Sequence, residues 1–287
     1  MQRTAFLNGH LVAFEHARVP ITDRGFTFGD GVYEVTAVVD GKLVDNFAHL
    51  RRLSRSLAEL HISNPYSDKE WTGFQRDLIA ANGLNQGVIY LQVTRGAAER
   101  DFAIPSPTLS PTTVMFTQVK DIMGSPYARD GVRAVTMPEF RWQRRDIKTI
   151  SLTAAVMAKR LAAEAGAQEV LYIEDGLLTE GGSSNVFIVS ADGTLVTRSV
   201  SNALLGGITR HAVLEIANSQ QLNVDERAFG LEEVRCAREA FMTSASTFVV
   251  PVISVDGHLI ADGIPGPITR EIQTRYIELA RLGGCLT

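Results

Sequence analysis

A carboxylate, a pair of adjacent glycines and a helix start lie within one short span of this chain. The span runs Glu180-Gly181-Gly182-Ser183-Ser184-Asn185-Val186-Phe187, passes a hairpin at Asp192-Gly193, and reaches Leu205-Gly206-Gly207-Ile208-Thr209-Arg210. Gly206 and Gly207 let the backbone approach a ligand closely. Ile208, Thr209 and Arg210 open an apolar-periodic run through Val213, Leu214, Ile216 and Ala217, spaced as a helix. The unpaired N–H groups of a helix start, at the positive end of its dipole, bind phosphate. The Ile208 and Thr209 N–H groups and the Thr209 hydroxyl are therefore candidate anion donors. Glu180, upstream of a predicted strand from Val186 to Val189, puts a carboxylate where it can face a basic ring nitrogen. Together these parts suit an anionic aromatic cofactor. They suit equally well a plain strand, turn and capped helix with Glu180 in water, and spacing alone does not separate the two.

The elements that would position these residues alternate strands and helices. Asn8-Gly9 and Asp40-Gly41 join short apolar runs as hairpins, the second linking Val32–Val39 to Lys42–Val44. Between them Asp23 to Gly31 holds too many glycines for a packed element, and its glycine spacing is not a dinucleotide fingerprint. Leu50, Leu53, Leu57 and Leu60 recur at helical spacing, with Arg51, Arg52 and Arg55 on other faces. Ser67 and Glu70 form a capping box for a helix through Trp71, Phe74, Leu78 and Ile79. Strands from Val88 to Thr94 and Thr113 to Val119 flank a loop with Pro105, Pro107 and Pro111. Further on, the pattern predicts a strand over Val132–Thr136, a helix over Leu152–Ala165, a strand over Ala240–Thr243, a hairpin over Val249–Ile260 and a terminal helix over Pro267–Leu282. Gly124 and Pro126 mark residues 121–129 as a linker, so that 1–120 and 130–287 are expected as two domains.

Composition narrows the class. With 287 residues, 45% hydrophobic, the chain can bury one large or two medium cores. A formal charge of -4 gives no basic footprint for nucleic acid. Cys236 and Cys285 fit no metal spacing and are expected as reduced thiols of a cytoplasmic protein, and the scattered histidines, His49 among them, are expected to be structural or exposed. The start, Met1 to Gly9, enters a hairpin rather than a signal peptide, and no apolar run is long enough to span a bilayer, so a soluble protein is expected.

Glu180, Asn185, Val186-Phe187, Leu195, Thr197, Leu205, Gly207-Ile208 and Arg210 fall in a long pattern, and on it the chain resembles the class IV aminotransferases, the fold-type IV pyridoxal-phosphate enzymes. The resemblance implies an α/β (α+β) fold, with a smaller N-terminal domain and a larger pseudo-barrel domain, pyridoxal 5'-phosphate as cofactor, and a homodimer. Such an enzyme needs a lysine to hold the cofactor aldehyde. Lys42 and Lys69 fall at exposed positions, Lys120 at the linker and Lys159 on a helix beside Arg160. Lys148, in Asp146-Ile147-Lys148-Thr149, is on its own spacing a surface lysine before a helix, but it matches the family's Schiff-base lysine. Glu180 would keep the ring nitrogen protonated. The resemblance also points to Arg52 and to Ser244, Ala245 and Ser246 for the phosphate, and to Leu205 for packing on the ring.

Arg24 to Val35, Tyr90 to Gly96 and Arg141-Trp142 look most like the D-amino-acid transaminases within that family. There a tyrosine, an arginine and a histidine hold the substrate carboxylate. Tyr33 and Arg100 match the first two, and Phe102 stands where the histidine is expected. The resemblance thus implies D-amino and 2-oxo acids as substrates, with a pocket broadened toward bulky D-amino acids or (R)-amines. Branched-chain L-amino-acid transaminases and aminodeoxychorismate lyases share the pattern more weakly, and a cofactor-free binding protein on this scaffold is the alternative outside enzymes.

Overall fold

The computed structural model describes residues 3–104 and 109–284, so Pro105, Pro107 and Cys285 lie outside the described residues. Two compact units divide the chain. Of the described residues, the first takes those up to Lys120, Ile147–Ser151 and those from Arg281 on; the second takes Asp121–Asp146 and Leu152–Ala280.

In the first unit β1 (Thr4–Leu7) and β2 (His10–Ala13) form the expected hairpin. The glycine-rich segment after it is not all loop. Asp23 caps α1 (Arg24–Phe28) by accepting the Gly25 N–H at 2.8 Å, and left-handed Gly29 ends it, so one cap at each end stabilises a helix too short to show periodicity. Then come β3 (Gly31–Val39), β4 (Lys42–Leu43), α2 (Asn46–Glu59), α3 (Asp68–Asn82), β5 (Gly87–Thr94) and β6 (Thr112–Val119). The Ser67–Glu70 capping box is present at the start of α3. The strands pair antiparallel in the order β2-β1-β6-β5-β3-β4.

Strand alternation sends Val32, Ile89, Leu91, Val93 and Met115 into one core with Leu50, Leu53, Leu57, Trp71 and Leu78 of the two helices. Burying each such side chain is worth roughly 1.5–3 kcal/mol. The opposite face stays partly open and stacks Tyr33 on Tyr90 and Tyr90 on Phe116, with ring centroids 5.5 and 4.9 Å apart. Ile147–Ser151 pairs with the start of β3: the Tyr33 N–H donates to Lys148 O at 3.0 Å and the Ile150 N–H to Gly31 O at 3.1 Å. Ile147 joins the core.

The second unit begins with α4 (Pro126–Asp130), inside the segment expected as a linker, then β7 (Val132–Pro138) and α5 (Thr153–Glu164). Next come β8 (Glu169–Glu174), β9 (Leu177–Gly181), β10 (Asn185–Val189), β11 (Leu195–Thr197), α6 (Ile208–Ser219), β12 (Val224–Glu226), α7 (Leu231–Arg235), β13 (Glu239–Ser244), β14 (Phe248–Val255), β15 (His258–Leu259) and α8 (Pro267–Leu282). One mixed sheet runs β12-β11-β10-β13-β14-β7-β8-β9, with β15 on β14. β7 lies parallel to both β14 and β8. Every residue of β10 is buried, and after Asn185 its apolar run Val186–Val189 suits a strand covered on both faces. On one of them the Phe187 and Phe241 rings stack 4.9 Å apart.

Candidate active site

In the second unit, β9 carries Glu180 into the interior, where it is 4% exposed, rather than leaving it on a turn. Its Oε1 accepts from Arg141 Nη1 at 2.8 Å, and its Oε2 accepts the Leu205 N–H at 3.0 Å and Asn185 Nδ2 at 3.4 Å. Burial pushes the Glu180 carboxyl above its ordinary range more strongly than Arg141 and the Leu205 N–H draw it down. Arg141 is shared: its Nε and Nη2 donate to Glu139 at 2.9 and 2.6 Å.

Asn185 ties this carboxylate to the helix start. Its Nδ2 also donates to Leu205 O at 2.8 Å, and a Cβ on Gly207 would sit 2.0 Å from its Oδ1, so only glycine passes here without moving it. Gly207 is the N-cap of α6 and supplies no side-chain bond, leaving the first N–H groups of the helix without intrahelical partners. The Thr209 hydroxyl is buried with no hydrogen-bond partner. In the β10–β13 ladder Asn185 faces Thr243, whose hydroxyl is also buried and unpartnered. β13 then ends at Ser244, and Ser244 Oγ lies 2.7 Å from Thr247 Oγ1 and 3.5 Å from Ser246 Oγ, with Ala245 between them half-buried. Glu180, Leu205, Ile208, Thr209 and Ser244–Ser246 thus all belong to the second unit.

Lys148, Tyr33, Arg52, Arg100 and Phe102 belong to the first. Lys148 is half-buried, with Nζ 4.2 Å from the centroid of the Tyr33 ring. Arg52 is not a solvated helical arginine: its Nε and Nη2 both donate to Glu34 at 2.8 Å, and His49 Nδ1 lies 2.7 Å from the same carboxylate. Burial alone would raise the Glu34 carboxyl, yet Arg52, by charge and hydrogen bonding, and His49 bring it down to about 2. Arg100 lies on the surface with its guanidinium 5.0 Å from the Phe28 ring centroid and 5.6 Å from that of Phe102, which is 80% exposed. Buried Arg24 anchors that loop, donating from Nη1 to Asp101 O at 2.6 Å and from Nε to Asp30 at 2.9 Å.

Sequence reasoning did not find Glu34, Glu139 or the partner of His49, which is a buried, structural histidine. The Glu139-x-Arg141 spacing was the only local signal for any of them. Among the described residues, no group of three or more His, Cys, Asp or Glu side chains is placed to hold a metal ion, and no helix is long and apolar enough to cross a membrane.

The model of the family Amino-transferase class IV matches residues 31–255. A D-alanine aminotransferase of Staphylococcus aureus (strain MSSA476) is 39% identical over 278 residues, covering 95% of this chain and 97% of that protein. A solved branched-chain amino acid aminotransferase of Escherichia coli has a TM-score of 0.91 at 24% identity, covering 99% of this chain and 97% of that one. A branched-chain aminotransferase from the thermophilic archaeon Thermoproteus uzoniensis, solved with norvaline, has a TM-score of 0.86 at 24% identity, covering 99% of this chain and 96% of that one. At that identity the two structures carry the fold, a mixed α/β architecture, and the family match carries the chemistry: the chain belongs to the class IV aminotransferases, with the fold of the fold-type IV enzymes.

Proposed function

We propose that this chain is a pyridoxal-phosphate-dependent transaminase that moves the amino group of a D-amino acid to a 2-oxo acid. The observation that carries the substrate choice is the 39% identity, over 95% of the chain, to a D-alanine aminotransferase. When bound, pyridoxal phosphate supplies an aldehyde that joins an amine and a ring that takes up electrons as the α-proton leaves. The residues present fit that group. A buried, unpartnered Thr209 hydroxyl at an uncapped helix start, with the Ser244–Thr247 hydroxyls at the end of β13, suits an anion, and Glu180, buried with only one charged donor, suits a cationic nitrogen.

On this reading the Ile208 and Thr209 N–H groups, Thr209 Oγ1, Ser244, the Ala245 N–H and Ser246 would hold the phosphate; in the first unit Arg52, which Glu34 aims, would be a further phosphate donor. Leu205 would pack on the ring. Lys148 would hold the cofactor through its aldehyde, and its amine would move the proton at the substrate α-carbon. No carboxylate pairs with its Nζ among the described residues, so loss of its charge breaks no ion pair. Tyr33 and Arg100 hold the substrate carboxylate. Phe102 shares Arg100 between two phenyl rings and makes the site more apolar than a histidine would, which broadens the donors toward bulky D-amino acids and (R)-amines. The enzyme works in the cytoplasm as a homodimer; exposed Ile21, Phe26, Phe102 and Ile104 of the first unit suit burial against a second copy.

The test is donor profiling with paired D- and L-enantiomers and 2-oxoglutarate. D-alanine and bulky D-amino acids are expected to react, and preference for L-leucine would overturn the substrate assignment. In the same assay Lys148→Ala is expected to lose about 10²–10⁴-fold in kcat, and near-native turnover would remove Lys148 from the chemistry.

A further inference from the structure

We infer that Glu139 is a positioning residue for Glu180, holding one edge of the Arg141 guanidinium so that Arg141 gives Glu180 a single hydrogen bond and leaves it an unbalanced negative charge. The inference rests on the proposed role of Glu180 toward a cationic ring nitrogen.

The geometry is one of divided donors. Glu139 Oε1 accepts both the Arg141 backbone N–H at 3.0 Å and Nε at 2.9 Å, and Oε2 accepts Nη2 at 2.6 Å, so main chain and side chain of Arg141 are fixed together. Only Nη1 reaches Glu180, at 2.8 Å. A guanidinium offers five donors in a rigid plane, and it cannot fork onto two carboxylates along one edge. The Tyr172 ring lies under that plane, 4.1 Å from the Arg141 Cζ, and limits rotation. Around Glu139 the Thr179 hydroxyl donates at 3.3 Å and Arg145 Nη1 stands 3.5 Å away, while Arg145 itself is held bidentately by Glu174 at 3.1 and 2.7 Å.

Charge counting then singles out Glu180. The carboxylates of Glu139, Glu174 and Glu180 share the guanidinium groups of Arg141 and Arg145, one positive charge short of balance. Glu139 and Glu174 each hold a bidentate arginine; Glu180 holds one N–H of an arginine already engaged. The titration directions agree: burial raises both Glu139 and Glu180, Arg141 overcomes it at Glu139, and at Glu180 it does not. Without the charge of Glu139, Arg141 would turn its free edge onto Glu180 and occupy the place of a cationic ligand.

The test compares Glu139→Gln, the double substitution Glu139→Gln with Arg141→Met, and Glu180→Gln, each measured by equilibrium binding of pyridoxal phosphate to the apoprotein and by the pH titration of the bound cofactor's absorbance. Glu139→Gln is expected to weaken binding at least about ten-fold and to shift the titration, and the double variant to recover most of both, because no arginine remains to compete for Glu180. A purely structural Glu139 predicts no recovery in the double variant. That result, or wild-type binding and titration in Glu139→Gln, overturns the inference. If Glu180→Gln also binds and titrates as wild type, the proposed role of Glu180 has failed, and this inference with it.

Discussion

Glu34 and Glu180 are both buried carboxylates bonded to an arginine, one in each unit, and they titrate in opposite directions. Burial does not distinguish them, since they are 1% and 4% exposed. Partners do. Glu34 takes both Nε and Nη2 of Arg52 and stands against His49, whereas Glu180 takes one N–H of an arginine shared with Glu139, plus two neutral donors. A saturated buried pair is a strut that fixes Arg52. An undersaturated one keeps charge to spare, as the proposed role of Glu180 toward a cationic ring nitrogen requires.

The largest effect expected from this contrast is on catalysis. Glu180→Gln should lower kcat by about 10²–10³-fold without loss of apoprotein stability, read from steady-state rates beside a thermal melt. Glu34→Gln should do the reverse. Taking the charge from one partner of a buried pair costs about 3 kcal/mol, visible as a lowered denaturant midpoint, and activity should return once cofactor is supplied in excess. If the stability loss falls on Glu180→Gln instead, the contrast is wrong.

The pH limbs of apoprotein stability sharpen it further. The Glu34 carboxyl, lowered from 4.5 to about 2, contributes stability that is full above pH 4.5 and is lost as pH falls toward 2. The raised Glu180 carboxyl acts with opposite sign: its contribution is present below pH 4.5 and lost as pH rises through its folded value. Urea midpoints across pH should therefore lose acid-limb slope in Glu34→Gln and high-pH slope in Glu180→Gln; flattening of the same limb by both would break the comparison. The smallest effect is expected at Gly207→Ala. Its Cβ would meet Asn185 Oδ1 at 2.0 Å, disturbing the side chain that joins Glu180 to Leu205 at a cost of about 1–3 kcal/mol, seen as a lower melting temperature.

What could be foreseen from sequence was local. The Ser67–Glu70 capping box, the Asn8-Gly9 turn and the span of α8 each depend on residues a few positions apart, and each is present. The β8–β9 hairpin was missed although Asp175-Gly176, with φ of 52° and 78°, is a two-residue turn of the usual hairpin kind. Its strands are buried along most of their length and so lack the alternation that marks a strand. Short α1 was missed for want of a second helical turn. Within the site, the family pattern marked Glu180 and the helix start marked Thr209 as candidates, but the ion pairs around Glu180 were not visible. Glu34 meets Arg52 across 18 positions and Arg141 meets Glu180 across 39, separations that tertiary packing closes and no motif encodes.

The first unit is discontinuous in the chain, and this bears on how it is made. Its β3–β4 end is held by residues from 281 onward: Lys42 Nζ donates to Arg281 O, the Asp45 N–H to Gly283 O, and Arg281 pairs with Asp40. Its edge beside Tyr33 is completed by Ile147–Ser151. On the ribosome, where the N-terminal portion emerges first, this unit must wait with the Gly31–Tyr33 edge of β3 unpaired until Ile147–Ser151 emerges, and with its β4 end unclasped until the second unit has been synthesised. Lys148, proposed to hold the cofactor, therefore meets its neighbouring strand before most of the second unit has emerged, and the clasps on the β4 end close only after that unit.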